Sequence, residues 1–347
     1  VTTTDTPPLQ VRGAVKSFGS VRAVEHVDLE LDAGELLVLV GPSGCGKSTL
    51  LRTIAGLHPL DAGEVVVAGE VMDDGRSSAP PERRPVGLVF QDHALFPHLT
   101  IGDNVGFGIR RQPTAARRAT VDELLDMVEI AHLRDRYPHE VSGGERQRAS
   151  VARAVAPKPH LLLLDEPFAA LDPNLRSQVR SQLVALLRAT GTPAVFVSHD
   201  QSEAMVLGDR LAVMRAGRLE QVGTGPDVFD RPANRFVAGF MGDAALLPVT
   251  GPPGDQRCEL GPIDAGERSG DLLAVIRPID VMVAADAGGP AEITGAEYQG
   301  ATWTYELRLP SGASVRATLP RHVSLAPGDR VSAQLSTRRP ALVAAEE

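Results

Sequence analysis

Leu36-Leu37-Val38-Leu39-Val40 runs without a break into Gly41-Pro42-Ser43-Gly44-Cys45-Gly46-Lys47-Ser48-Thr49, and a helical pattern continues to about Leu57. A buried strand, a glycine-rich loop and a helix in that order form an anion cradle. The glycines let successive backbone N–H groups converge on phosphate oxygens at the positive end of the helix. Lys47 is placed to reach the β- and γ-phosphates of a nucleotide, and the Ser48 hydroxyl to ligate Mg2+. A second glycine-rich stretch, Ser142-Gly143-Gly144-Glu145, lies too far along the chain to reach the same phosphate. Two such sites in one chain suggest that two copies face each other, each closing the other's nucleotide site.

Around this loop the pattern of apolar residues predicts alternating strands and helices. Leu9 to about Asp32 alternates as half-buried antiparallel strands do, and Leu161–Leu164 and Ala194–Ser198 read as further buried strands. Val179, Leu183, Leu186 and Leu187 mark an amphipathic helix over 177–189, and Val121, Leu124, Leu125 and Val128 mark another over 114–130. The fold class is α/β: a phosphate-loop NTPase cassette with a mostly parallel sheet and an inserted helical subdomain. Beyond about Gly242 the chain turns glycine- and proline-rich, then gives short alternating runs separated by Pro310-Ser311-Gly312 and Pro327-Gly328-Asp329. That tail predicts a small all-β, barrel-like domain. The expected organisation is a disordered stretch over 1–8, a cassette over 9–242 with its helical subdomain at about 92–159, and a β-barrel domain over 243–347.

Three more positions carry chemistry. Asp165-Glu166 ends a buried strand beside the phosphate-loop strand, so Asp165 is assigned to Mg2+ through water and Glu166 to the attacking water. His199 follows the strand Ala194–Ser198, at the edge where ligands of open α/β sheets collect, and can contact the γ-phosphate. Phe18, at a strand end before Gly19, reads equally as an adenine platform or as a core residue.

Composition narrows the partners. The 347-residue chain has a formal net charge of −9, against the basic field that non-specific nucleic-acid binding needs. No apolar run approaches the ~18 residues of a membrane span. The opening residues lack the basic and apolar regions of a signal peptide. Cys45 and Cys258 make no disulfide framework. These readings point to the cytosol.

With these residues assembled, the chain resembles the ATP-binding subunits of ATP-binding cassette importers, closely over 9–245 and more loosely beyond. Gly41–Ser48 matches the phosphate loop, Gln91 the glutamine loop, and Ser142, Gly143 and Gly144 the signature. Leu161–Glu166 matches the second acidic motif, Asp172 the dimer loop, His199 the switch histidine and Phe18 the adenine platform. The resemblance implies ATP and Mg2+ as cofactors and Glu166, His199 and Gln91 at the hydrolytic centre. It adds Gln91 to Ser48 and Asp165 at the metal, Asp172 to the nucleotide contacts, and a regulatory role to the β-barrel domain over 243–347. Its implied partners are a second ATPase subunit in a head-to-tail dimer, integral-membrane permease subunits and, indirectly, an extracytoplasmic solute-binding protein. The implied location is the cytoplasmic face of the membrane. Val141, Glu145 and Ala170 depart from the family's usual leucine, glutamine and serine.

A soluble cassette ATPase acting on ribosomes or DNA is the rival reading. Such proteins usually carry two cassettes or a coiled coil, and this chain has one cassette and no sustained heptads. A nucleic-acid-binding barrel would need a basic, aromatic-lined groove, but the tail after Asp243 holds no lysine. Within the importers, Pro80-Pro81-Glu82-Arg83-Arg84, the run from Gln91 to His98, and Arg231 to Ala238 are similar to ferric-iron ATPases, which makes ferric iron the first solute to consider. Polyamine, sulfate, molybdate and sugar importers are the alternatives.

Overall fold

A computed structural model describes residues 6–90, 95–169, 171, 173–266, 268 and 270–345, the side chains of 173–175 aside. It divides into two compact units, residues 1–225 and 226–347.

The first unit opens with β1 (Leu9–Phe18) and β2 (Val21–Leu31), followed by β3 (Leu36–Val40) and α1 (Lys47–Ile54). Next come β4 (Ala62–Val67), β5 (Glu70–Asp73) and β6 (Val86–Val89), then α2 (Ile101–Val105), α3 (Thr114–Met127) and α4 (Gly143–Val155). The unit closes with β7 (Leu161–Asp165), α5 (Pro173–Thr190), β8 (Ala194–Ser198), α6 (Gln201–Leu207), β9 (Arg210–Arg215) and β10 (Arg218–Gly223). The main sheet has the order β10-β9-β3-β8-β7-β6, parallel except for β10. A second, antiparallel sheet has the order β2-β1-β4-β5.

Every residue of β3, β7 and β8 is buried, as their unbroken apolar runs require of parallel strands covered on both faces. Leu50, Leu51 and Ile54 of α1 join Leu37 and Leu39 of the main sheet and Leu9, Val11 and Val65 of the second in one core. The helix that starts at the phosphate loop is thus clamped between two sheets. Arg84 closes its other end: the guanidinium donates to the Thr53 and Ile54 carbonyls at 2.9 and 2.8 Å and pairs with buried Asp73 at 3.4 Å. Burial pulls the pKa of Arg84 down, and Asp73 counters it. Arg231 to Ala238 holds a similar structural device, since Asn234 caps the helix Arg235–Phe240 by accepting from Val237 N–H. Arg84 and Asn234 therefore serve the fold in two of the three segments that suggested iron.

The expected helical region is present as α2, α3 and α4. Buried Asn104 ties its entry together, donating to the Phe96, Leu99 and Thr100 carbonyls and accepting from Phe96 N–H. The N-terminal expectation falls mainly on residues 1–5, outside the described residues; Pro8 is held through its carbonyl by Ala68 N–H.

The second unit begins with α7 (Gly225–Asp230), whose first residue still belongs to the cassette, and α8 (Arg235–Phe240). Its strands are β11 (Ala245–Pro248), β12 (Gln256–Cys258), β13 (Gly261–Ile263), β14 (Leu272–Ile276) and β15 (Val281–Ala285), then β16 (Ala291–Tyr298), β17 (Thr302–Arg308), β18 (Ser314–Pro320), β19 (Arg330–Leu335) and β20 (Ala341–Ala344). The five-stranded sheet β15-β19-β16-β17-β18 curls until its edge strands β15 and β18 lie beside each other. Tyr305 is fully buried in this core and donates its hydroxyl to the Val323 carbonyl at 2.9 Å, so it is no surface for stacking bases. The division at residue 225 differs from the expected boundary near 242 for a visible reason. Buried Arg277, just after β14, donates to the carbonyls of Phe229, Ala238 and Gly242, and its guanidinium lies 4.1 Å from the Phe229 ring. That cation fastens α7 and α8 to the β-structure.

Candidate functional site

The register of three parallel strands builds the site. Val40 pairs with Ser198 and Asp165 with Val197, so the carboxyl ends of β3, β7 and β8 stand side by side. The segments that follow them carry Gly41–Ser48, Glu166 and His199. Ligands of open α/β sheets collect at this edge.

Within the loop, Gly46 has φ 109° and sits against β2, where an added Cβ would come 2.0 Å from the Ala23 carbonyl. Only glycine fits there. Gly44 also adopts a left-handed φ, with open space beyond it, and Ser43 is exposed. Lys47 is buried, and its ammonium donates to the carbonyls of Gly41 at 2.7 Å and Pro42 at 3.0 Å, spanning the loop. Cys45 is also buried, with its Sγ 3.7 Å from that ammonium. Thr49 accepts through its carbonyl from the Thr53 hydroxyl one turn along α1.

Ser48 Oγ donates to Asp165 Oδ1 at 2.8 Å, joining α1 to the end of β7. Arg52, one turn further along α1, lies 3.5 Å from Asp165 Oδ2. Sequence reasoning missed Arg52; its i+4 spacing from Ser48 is the signal that would have found it. The hydroxyl and carboxylate form a hard oxygen donor set of the kind Mg2+ takes when it keeps waters and phosphate as its other ligands. Among the described residues no cluster of three or more His, Cys, Asp or Glu side chains offers an all-protein cage. The pair fits that ion.

Glu166 has φ 47°, a left-handed backbone that costs a residue with a side chain on the order of 1 kcal/mol. Its N–H donates to the Val197 carbonyl at 3.1 Å, which fixes the strained corner to β8. Its Oε2 then meets His199 Nδ1 at 3.2 Å, while 55% of the His199 side chain remains exposed. Phe18 resolves to the exposed alternative: 46% of it faces solvent, and its ring meets His58 edge-on with centroids 5.2 Å apart. It is no core residue.

Ser142 caps α4. Its hydroxyl accepts from Glu145 N–H at 3.4 Å, and Glu145 Oε2 accepts from Ser142 N–H at 2.7 Å, a reciprocal capping box. That backbone bond, ahead of burial, holds the Glu145 carboxyl below the usual range. Glutamate thus does the capping work open to glutamine here. Among the described residues no hydrogen bond joins Ser142, Gly143 or Gly144 to the phosphate loop. Gln91, Asp172 and Ala170 lie outside the described residues.

Comparison with known proteins fits this geometry. Residues 24–169 match the ABC transporter family and residues 274–342 the TOBE domain. The chain is 43% identical over 341 residues to a sulfate/thiosulfate import ATP-binding protein of Bradyrhizobium diazoefficiens, covering 93% of this chain and 96% of that one. The chain belongs to the ABC transporter family. An Fe(3+) ions import ATP-binding protein of Mesorhizobium japonicum is 42% identical, with 87% of each chain covered. Among solved structures, a dimeric ATP-binding cassette in a post-hydrolysis state bound to ADP and Pi matches with a TM-score of 0.55 at 30% identity, covering 62% of this chain and 98% of that one. This ABC transporter chain is accordingly an ATPase with a cassette fold and an all-β C-terminal domain.

Proposed function

We propose that this ATPase drives solute import through separate membrane permease subunits. Two cassettes close over ATP and reopen after hydrolysis, with a solute-binding protein delivering cargo outside the membrane. The observation that carries the proposal is the meeting, at three adjacent strand ends, of Lys47, the Ser48–Asp165 pair and the Glu166–His199 pair. The phosphate loop binds the β- and γ-phosphates, with Lys47 exchanging the carbonyls of Gly41 and Pro42 for phosphate oxygens. Ser48 and Asp165, with Gln91, would hold Mg2+, which when bound offsets the charge developing on the phosphates. Glu166 accepts a proton from the attacking water and His199 contacts the γ-phosphate. Ser142, Gly143 and Gly144 of a second copy cover that phosphate, Asp172 contributes to nucleotide binding, and Phe18 stacks on adenine. Both subunits work at the cytoplasmic face of the membrane. The single cassette, the acidity and the import-protein relatives favour this reading over a nucleic-acid role.

Substitution of Glu166 by Gln tests the assignment. The amide fits the same space but takes no proton, so turnover should fall by about a hundredfold or more while ATP binding persists. The variant should accumulate as an ATP-bound dimer, visible by size-exclusion chromatography. Hydrolysis at the wild-type rate would remove Glu166 from the reaction. Lys47→Ala, by contrast, should lose nucleotide affinity.

For the solute, the proposal is ferric iron, supported by the relative named for that ion; the relative named for sulfate supports the competing reading. The solute does not touch this chain, so direct binding assays on it are uninformative. Uptake by a deletion strain, measured separately under iron, sulfate and polyamine limitation, decides the matter. Normal iron uptake beside a defect in another solute would discard iron and leave the ATPase intact.

A further inference from the structure

Glu203 sits on the first turn of α6, four residues after the histidine that meets Glu166. It is 93% buried, given a relative exposure of 7%, and has two unlike oxygens. Oε2 accepts the Ser198 hydroxyl at 2.6 Å. That hydroxyl in turn accepts the Asp200 N–H at 3.1 Å, and Asp200 Oδ1 accepts the Glu203 N–H at 2.9 Å. The three residues close a ring of hydrogen bonds around the corner between β8 and α6, and His199 lies in the chain between two of them, Ser198 and Asp200. Hydrogen bonds to Ser202 first and then to Glu203 hold the Asp200 carboxyl below the usual range, so that member of the ring is an anion.

The other oxygen of Glu203, Oε1, is buried without a hydrogen-bond partner, as is Nε of Arg176. Both residues line one small cavity, whose wall also includes Glu166, His199 and Phe168. Its volume is about 10 Å³, room for roughly one water. A water there can accept from the guanidinium and donate to the carboxylate, which satisfies two groups that are costly to leave unpaired.

We propose that Glu203 is the positioning residue of His199. It fixes the histidine's backbone through Ser198 and packs the floor beneath the Glu166–His199 pair through one bound water. It touches no phosphate and takes no part in the proton transfer. The inference rests on the proposed role of His199 and extends that site by one residue.

The test uses the full chain, measuring kcat, KM for ATP and ATP binding. E203A frees Ser198 and should lower kcat about tenfold or more, the scale on which a small misplacement of a reacting group acts. KM should stay unchanged, because the phosphate loop is untouched. E203Q keeps an oxygen for the Ser198 hydroxyl and should turn over close to the wild-type rate. S198A cuts the same link from the other side and should match E203A. In an H199A background E203A should slow the enzyme no further. In the NMR spectrum the His199 Cε1–H resonance, assigned by its loss in H199A, should shift in E203A and not in E203Q. The proposal is overturned by wild-type kcat in E203A, by E203Q as slow as E203A, or by additive slowing in the double variant. Should E203A fail to fold, S198A carries the comparison, and wild-type turnover there overturns it. A wild-type rate in H199A itself would instead remove the reading of His199 on which the inference rests.

Discussion

The chemistry of Cys45 follows from its neighbours more than from its sulfur. The side chain is buried, and its Sγ lies 3.7 Å from the Lys47 ammonium, inside the loop proposed to hold phosphate. An adduct on it would fill space that the phosphates need. A thiol reagent should therefore inactivate the ATPase slowly, as the loop opens, and saturating ATP should protect it. Cys258 is buried too, and burial pushes its thiol pKa up, so it should label more slowly and without effect on activity. Peptide mass spectrometry beside an ATPase assay checks both; full activity with Cys45 alkylated would refute the argument. Lys47 and Ser48 were legible from the loop motif alone. Their present partners, the carbonyls of Gly41 and Pro42 and the Asp165 carboxylate, depend on how the loop closes over β7 and could not be read from spacing.

Strands with unbroken apolar runs were the easiest elements to read, because burying each large aliphatic side chain is worth about 2 kcal/mol and leaves no polar face to disguise the strand. β3, β7 and β8 all fall where the residue pattern puts them. The pair β4 and β5 was missed. The run Glu64-Val65-Val66-Val67-Ala68-Gly69 is short, and its hairpin partner carries the buried Asp73, whose meaning emerges only with Arg84 beside it. Helix α3 was legible by period, whereas α4 was read only as part of a helical region, and Gln147 and Ser150 are buried on it despite their polarity. A helical wheel shows which residues share a face. It does not show that polar ones will be packed under neighbouring elements.

At the scale of the molecule, the boundary between the units was the feature most easily misplaced. Composition changes at the proline- and glycine-rich stretch after residue 242, but compactness changes at residue 225 because Arg277 and the apolar cluster of Ala238, Val275 and Val343 fasten α7 and α8 to the second unit. A chain ending at residue 225 should therefore be soluble, fold and bind ATP. One ending at residue 242 keeps α8 but loses Val275, Val343 and the donors of Arg277. It should be the less stable of the two and prone to aggregate, as thermal unfolding and light scattering would show. Equal melting temperatures and solubility for the two truncations would contradict this account, and loss of ATP binding in a folded 1–225 chain would mean that the second unit completes the site.

The sequence by itself picked out the residues proposed for the phosphate chemistry, because the loop, the acidic strand end and the histidine each keep a local pattern that physics ties to a role. It also determined that an α/β cassette precedes a β-rich tail, since the hydrophobic period changes between them. Only the tertiary structure decided that Glu166 meets His199, that Arg52 approaches Asp165, that Phe18 is exposed, and that a buried Glu203 underlies the histidine. Those contacts join residues far apart in the chain or set within one tight corner. Strand register, backbone strain and the satisfaction of buried polar groups fix them, and all three are properties of the packed whole.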